Sequence, residues 1–251
     1  MDSQGYITLT RQIGLMREMQ VVANNIANSA TTGFRQEGVI FSEYVRGMDQ
    51  GASLSMGQAN VGATSFEQGT LTQTAGTFDF AIEGEGYFLI ETPDGERMTR
   101  AGSFASNGAG DLVTPDGYRV LDAGGAPVFV PPDAASITVG PDGTMSADGN
   151  LVGQIGLVVP VEPKDMTREG GVMFDAGGAV LPAENAKIMQ GFVESSNVDT
   201  ITQLARMIEV QRAYEMGQSF LETEDERVRR AVETMTRSQG CLLYTSPSPR
   251  D

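Results

Sequence analysis

The sequence predicts an α+β fold, mainly β, in which N- and C-terminal helices pair as a coiled-coil-like stalk around an inserted antiparallel β domain. Three observations carry this expectation. Near the start, Leu9, Ile13, Met16, Ala23 and Ile26 recur at helical spacing. Near the end, Met207, Tyr214, Leu221, Val228 and Met235 fall seven residues apart, the repeat a coiled-coil seam requires. Between them, short β-type runs are punctuated by Pro-Asp-Gly at 93–95, 115–117 and 141–143. That tripeptide sets the backbone angles of a tight turn, so its recurrence between apolar runs signals hairpins.

Residues 1–35 read as an N-terminal helical segment, with a helix of roughly six turns from Tyr6 to Ala27. Gly14 is its interior weak point, and its apolar face is thin. Isolated helices are marginal in water, so this one needs a partner, which the C-terminal helix supplies. Residues 36–69 hold a polar, small and glycine-rich stretch that reads as an extended connector. Residues 70–190 form the antiparallel β domain. Its runs include "TFDFAIEG", "GYFLIETP" and "LVGQIGLVVPV".

Residues 191–240 form the C-terminal helical segment. From Ile201 to Met235 there is no proline, and Gly217 is the lone glycine. The second seam position is irregular: Leu204 and Val232 suit it, but Gln211, Gln218 and Asp225 also fall there. Ser196 or Asn197 is the expected N-cap, and Glu222 to Glu226 reads as a solvated face. Residues 241–251, "CLLYTSPSPRD", hold the only cysteine and resemble one reading frame of a sequencing-library adapter. They are excluded from fold reasoning.

The chain has 251 residues, enough for one large or two modest domains. With 33 acidic against 17 basic side chains its formal charge is −16, which repels nucleic acid and anionic membrane faces. The arginines form no cluster in sequence, and Lys164 and Lys187 are the only lysines. Neither nucleic-acid binding nor membrane insertion is expected: apolar runs such as "IGLVVPV" fall far short of the roughly 20 residues of a spanning helix. The start lacks a basic region followed by an apolar one, so it does not read as a cleavable secretory signal.

Histidine is absent, which removes the commonest general base and the usual zinc ligand. Carboxylate-only chemistry survives that argument. In "EGEGYF", Glu83 and Glu85 share a face if the segment is a strand. Carboxylates so close in sequence suit the flanks of a hairpin glycine better than the two sides of a cleft. Asp142 and Asp148 lie in "PDGTMSADGN", whose spacing does not match a calcium loop. The expectation is a protein that is not an enzyme, with no cofactor and no metal. A β-domain adhesin and a carbohydrate-active enzyme remain the rival classes.

Three longer stretches resemble a known family. "ANNIANSATTGFRQEGVIFSEY" (23–44) is similar to the N-terminal signature of the flagellar rod and hook proteins. "GTLTQTAGTFDFAIEGEGYFLIETPDGERMTRAGSF" (69–104) resembles their β-domain signature, and "GFVESSNVDTITQLARMIEVQRAYE" (191–215) their C-terminal one. The order of the three is the family's. Ser29-Ala30 departs from the commoner valine-asparagine pair before Thr31. The opening "YITLTRQIGLMREMQVVANN" and the short length look most like the proximal-rod type, with the distal-rod type as the alternative. A hook protein would carry an additional outer domain.

The resemblance implies a structural subunit of the periplasmic basal-body rod, polymerising through its terminal helices to transmit motor torque. The implied partners are other proximal and distal rod subunits, copies of itself, and the flagellar export apparatus. It also implies an assembly interface formed by Asn24, Asn25, Ile26, Asn28, Gly33 and Phe34 on the N-terminal side. On the C-terminal side it comprises Asn197, Ile208, Gln211, Arg212, Tyr214 and Glu215. Side-chain amides donate and accept at once, which suits contacts where water is excluded. Asn28 or Thr31 equally reads as a plain helix terminus.

Overall fold

A computed structural model describes residues 2–46 and 54–239. The centre of the glycine-rich stretch and the adapter-like segment 241–251 lie outside the described residues. The chain divides into two compact units, one drawn from 1–23, 38–63 and 204–251, the other from 24–37 and 64–203.

Helix α1 spans Asp2–Ala27. Strands β1 (Glu37–Arg46) and β2 (Leu54–Thr64) follow as a two-stranded sheet. The sequence reads as an extended connector here, and "LSMGQANVGAT" is poor in the β-branched and aromatic residues that favour strands. Pairing with β1 overrides that weak local preference. The chain closes with helix α2, Thr200–Gln239.

The second unit contains the β domain. Its strands are β3 (Leu71–Gln73), β4 (Phe80–Glu83), β5 (Tyr87–Thr92), β6 (Gly95–Thr99), β7 (Ala105–Ser106), β8 (Leu112–Val113) and β9 (Arg119–Leu121). Then come β10 (Ile137–Val139), β11 (Thr144–Ala147), β12 (Asn150–Gln154), β13 (Leu157–Pro160), β14 (Thr167–Glu169) and β15 (Met173–Asp175). The last are β16 (Val180–Pro182), β17 (Lys187–Gln190) and β18 (Phe192–Glu194).

The largest sheet runs β14-β15-β6-β5-β9-β8-β7, with β13 pairing β5 and β16. Every pairing described in the unit is antiparallel. The three Pro-Asp-Gly turns close β5–β6, β8–β9 and β10–β11, as the turn chemistry predicts. Gly95, Gly117 and Gly143 take positive φ there.

Strand β5 organises the core because both of its faces are covered. Phe88 and Ile90 join a cluster with Phe80, Ile82, Leu112 and Met145, while Tyr87 and Leu89 join one with Met98, Val158 and Phe174. Alternate side chains of a strand point to opposite faces, so four consecutive apolar residues fill two layers. The ring of Phe104 meets Phe88 edge-on at 5.2 Å.

Within the first unit two polar contacts join α1 and α2, and Val22 of α1 and Val210 of α2 are also buried. The Gln12 amide donates to the Tyr214 carbonyl at 3.1 Å, and Arg206 pairs with Glu18 at 2.5 Å. Pairing Gln12 with Tyr214 and Glu18 with Arg206 makes the helices run antiparallel. Gly217 gives Gln12 its room, since a Cβ there stands 2.6 Å from the Gln12 amide nitrogen. The side chain of Gln12 and that of Glu18 are buried, whereas Leu9, Ile13 and Met16 are 50%, 58% and 52% exposed. The apolar stripe that the sequence assigns to the α1–α2 contact therefore faces away from it.

The companion seam of α2 also differs from expectation. Leu204, Gln211, Gln218, Asp225 and Val232 are exposed, while Val210 is buried and Gly217 half-buried alongside Met207, Tyr214 and Leu221. A seven-residue spacing fixes one seam position but leaves open whether its companion lies three or four residues on.

Candidate functional site

The residues of the three signatures converge inside the second unit. Immediately after α1 the chain turns through 28–33, and Asn28 stabilises that turn by donating to the Asn24 carbonyl at 2.9 Å and the Asn24 side chain at 3.0 Å. Thr31 donates back to Asn28 at 3.3 Å. Asn25, 1% exposed, accepts from the Glu37 N–H at 2.9 Å, donates to the Glu37 carbonyl at 2.7 Å and reaches Gln203 at 3.3 Å. A single amide thus pins the end of α1 to the beginning of β1 and to the first turn of α2.

Gly33 sits at φ +70°, and its N–H donates to the Glu194 carbonyl at 2.7 Å. A Cβ on Gly33 stands 2.2 Å from the Ala101 nitrogen and 2.4 Å from the Arg100 carbonyl carbon. Only glycine satisfies both the left-handed angle and that approach. Gly33→Ala is expected to cost about 3 kcal/mol or more, combining a left-handed penalty of roughly 1–2 kcal/mol with overpacking against backbone that cannot swing aside. Urea unfolding of the full chain checks it, through a lowered midpoint at unchanged slope.

Phe34 is 1% exposed and lies beneath the Arg168 guanidinium, 4.6 Å from the ring centroid, which also stands 4.9 Å from the Phe174 ring. Arg168 pairs with Glu37 at 2.6 Å and donates to the Arg35 carbonyl. Burial pulls the Arg168 pKa below its usual value, and Glu37 opposes the shift.

At the centre lies a charged network for which the sequence has no local signal. Arg35 and Arg100 bracket Glu194, at 2.8 Å and 3.1 Å, and the three side chains are 2%, 5% and 1% exposed. Arg35 also donates to the carbonyls of Phe66 and Glu67, and Arg100 to those of Ile82 and Gly84. Glu194 accepts the Gly69 N–H at 3.1 Å. Arg100 lies 5.3 Å from the Tyr87 ring centroid. The network joins the turn after α1, the segment after β6 and the strand leading toward α2. Arg35, Arg100 and Glu194 each fall in a different signature stretch, 23–44, 69–104 and 191–215.

Asn197 completes the closure. Its carbonyl oxygen accepts the Gln36 N–H at 2.6 Å, and its amide nitrogen donates to the Glu67 carbonyl at 2.9 Å. With Asn197 so committed, the N-cap of α2 is Asp199 rather than Asn197 or Ser196. Asp199 accepts the Ile201 N–H at 3.0 Å and the Thr202 hydroxyl at 2.6 Å.

The Thr202 bond, and then that from Ile201, lower the Asp199 pKa from its ordinary 3.8. A depressed carboxylate stabilises the folded state above its unfolded value, and the contribution is lost as pH falls through the lowered one. Asp199→Ala is therefore expected to speed amide exchange at Ile201 and Thr202 at neutral pH. The difference from the parent chain should shrink once pH drops below about 4. Exchange measured at both pH values checks this.

The other members of the expected assembly set lie on the surface of the helices. Asn24 is exposed and Ile26 half-buried. On α2, Ile208, Gln211, Arg212 and Glu215 are exposed and Tyr214 half-buried. Gln211 bonds Glu215 on its own helix at 3.1 Å. The ion pair across the two helices is made by Arg206 with Glu18. The set thus splits into Asn25, Asn28, Gly33, Phe34 and Asn197, which tie the chain to itself, and helix residues that are exposed apart from the half-buried Ile26 and Tyr214.

The acidic candidates serve turns. Glu83 ends β4 and Glu85 lies in the bend after it, so strand alternation does not place them on one face. Asp142 accepts the Thr144 N–H at 3.1 Å and the Thr144 hydroxyl at 2.6 Å. Asp148 accepts the N–H groups of Ala135 and Ser136 at 3.2 Å and 2.9 Å.

Three family models match the chain. "Flagella basal body rod protein" matches residues 7–35, "Flagellar hook protein FlgE/F/G D1 domain" 81–147, and "Flagellar basal body rod FlgEFG protein C-terminal" 189–234. The chain is 37% identical over 241 residues to the flagellar basal-body rod protein FlgF of Caulobacter vibrioides, covering 94% of this chain and 98% of that one. It is 36% identical over 238 residues to FlgF of Mesorhizobium japonicum, with 94% and 98% covered. It is 34% identical over 245 residues to the flagellar basal-body rod protein FlgG of Bacillus subtilis, with 86% and 92% covered.

Proposed function

The chain belongs to the flagellar basal-body rod protein family, and from that premise we propose that it occupies the proximal rod, polymerising through its terminal helices and carrying motor torque. It is a structural subunit of the rod, with the FlgF type best supported and the FlgG type close behind. Membership places it in the flagellum basal body among other rod and hook proteins, in a family of structural proteins rather than enzymes. A periplasmic position and delivery by the flagellar export apparatus form part of the proposal.

The observation that carries the polymerisation reading is the direction of the apolar face of α1. Leu9, Ile13 and Met16 are half-exposed while Gln12 and Glu18 are buried. On α2, Ile208, Met216 and Phe220 are 51%, 66% and 47% exposed. Single exposed apolar residues are ordinary, but stripes of them along two long helices mark an association surface. Neighbouring subunits cover both stripes in the proposed assembly, and α1 and α2 then pair with further helices in coiled-coil fashion. Asn25, Gly33, Phe34 and Asn197 are committed to contacts within the second unit.

Complementation tests the rod position. Residues 1–240 are expressed in strains lacking FlgF or, separately, lacking FlgG, and motility is scored with tomography of basal bodies. Completed rods only in the FlgF-deficient strain are the expected result. Rescue only of the other strain moves the subunit to the distal rod.

A further inference from the structure

We propose that Asn107–Gly108 is a self-modifying site, at which the folded chain converts the Asn107 amide to aspartate and isoaspartate through a cyclic imide. Among the asparagines of the sequence only Asn107 is followed by glycine. The reaction requires the backbone nitrogen of the next residue to attack the side-chain carbonyl carbon. Glycine, with no Cβ, hinders that approach least.

Asn107 opens the turn between β7 and β8. Its Oδ1 accepts the N–H groups of Ala109 and Asp111, both at 2.9 Å, and its Nδ2 donates to the Asp111 carboxylate at 3.3 Å. Donors on one side and an acceptor on the other fix which end of the amide is oxygen. The bond from Ala109 closes a ring that contains both Cγ and the Gly108 nitrogen, so electrophile and nucleophile share one turn. The donors on Oδ1 stand where negative charge develops when Cγ is attacked, as in an oxyanion hole. Neighbouring bonds hold them there in advance. The Asn107 N–H donates to the Asp111 carbonyl at 2.9 Å, the Gly110 N–H to the Asn107 carbonyl at 3.0 Å, and the Val130 N–H to the Gly110 carbonyl at 2.6 Å. Among the described residues the Gly108 N–H donates to no acceptor, and Gly108 is exposed, so solvent base reaches its proton.

The steps balance with water as the only co-reactant. Solvent base takes the Gly108 proton as its nitrogen bonds Cγ. The Cγ–Nδ2 bond then breaks, and Nδ2 leaves as ammonia with a proton from water. Water adds to either carbonyl of the imide: breaking the bond from Cγ to nitrogen gives aspartate, and breaking the one from the main-chain carbonyl carbon gives isoaspartate. Each product sets a new carboxylate beside Asp111, and isoaspartate also lengthens the main chain of the turn by one carbon. Loss of ammonia makes the change one-way, so the turn records the age of the subunit wherever in the rod it sits.

The test incubates the full chain in mildly alkaline buffer, native and in urea. The peptide containing position 107 is followed by mass spectrometry with electron-transfer fragmentation, which separates isoaspartate from aspartate, and Asn107→Asp supplies the aspartate reference. The native chain is expected to form both products at least about tenfold faster than the urea-unfolded chain, a part of the roughly 10²–10³ that a preorganised oxyanion donor contributes. A Cβ at Gly108 meets nothing within 4 Å, so Gly108→Val is expected to fold like the parent. Its branched side chain crowds the attacking nitrogen, and neither product is expected from it. Equal or slower conversion in the native state, aspartate without isoaspartate, or undiminished conversion in Gly108→Val overturns the proposal.

Discussion

Glu194→Gln is expected to lower the stability of the β unit by about 3–5 kcal/mol, the scale for breaking a buried ion pair by removing one partner. The reason is local. Glu194 is 1% exposed and is the shared carboxylate of Arg35 and Arg100, which are 2% and 5% exposed. Glutamine keeps the shape and one acceptor, so the loss isolates charge from packing. For a unit of this size the expected fall in melting temperature is about 6–20 °C. Thermal unfolding of the full chain, followed by near-UV signal from Tyr87 and its neighbours, measures it. A shift under 2 °C would show that the arginines find other partners.

Leu9→Glu, Ile13→Glu and Met16→Glu combined are expected to abolish motility in a complemented strain while leaving the isolated chain as stable as the parent. Each of these side chains is half-exposed already, so charging it costs the monomer little, within about 0.5 kcal/mol apiece. In an assembly, covering the remainder of each contributes on the order of 1 kcal/mol. Three charges there replace that gain with a desolvation penalty. Swimming assays paired with urea unfolding of the purified chain separate the two effects. Equal loss of stability and motility would place these residues in a self-contact instead.

The two helices and the hairpin turns were legible because their signals are local. Helical spacing at Leu9, Ile13 and Met16 and the three Pro-Asp-Gly turns need no knowledge of partners. Which way a helix faces is not local. The apolar stripe of α1 implied contact with α2, yet Gln12 and Glu18 make that contact. The seven-residue repeat is half-buried at Met207, Tyr214 and Leu221 but exposed at Val228 and Met235, and it does not point to the buried Val210. Strand β2 was hidden because its glycine- and alanine-rich sequence has little preference of its own and is set by β1.

The charged site was the least legible part. Arg35, Arg100 and Glu194 come from distant segments, and a charged residue at any of those positions reads as exposed until the partners are known. The charged network lies within the three signature stretches, and the asparagines of those stretches divide by role. Asn25 and Asn197 close the fold on itself, and Asn28 caps a turn. At the start of α2, Asn197 and Ser196 are both good N-caps by type, and only the pull of Gln36 and Glu67 on Asn197 leaves the task to Asp199.

In the proposed assembly the rod subunit polymerises through the solvent-facing sides of its terminal helices. Photo-crosslinking in isolated basal bodies tests it most directly, with a benzophenone side chain placed at Ile13 in one variant and at Asp116, on an exposed β-domain turn, in another. Abundant adducts from position 13 to helical segments of neighbouring rod subunits are expected. Completed rods in which position 13 forms no adduct, while position 116 does, would contradict it.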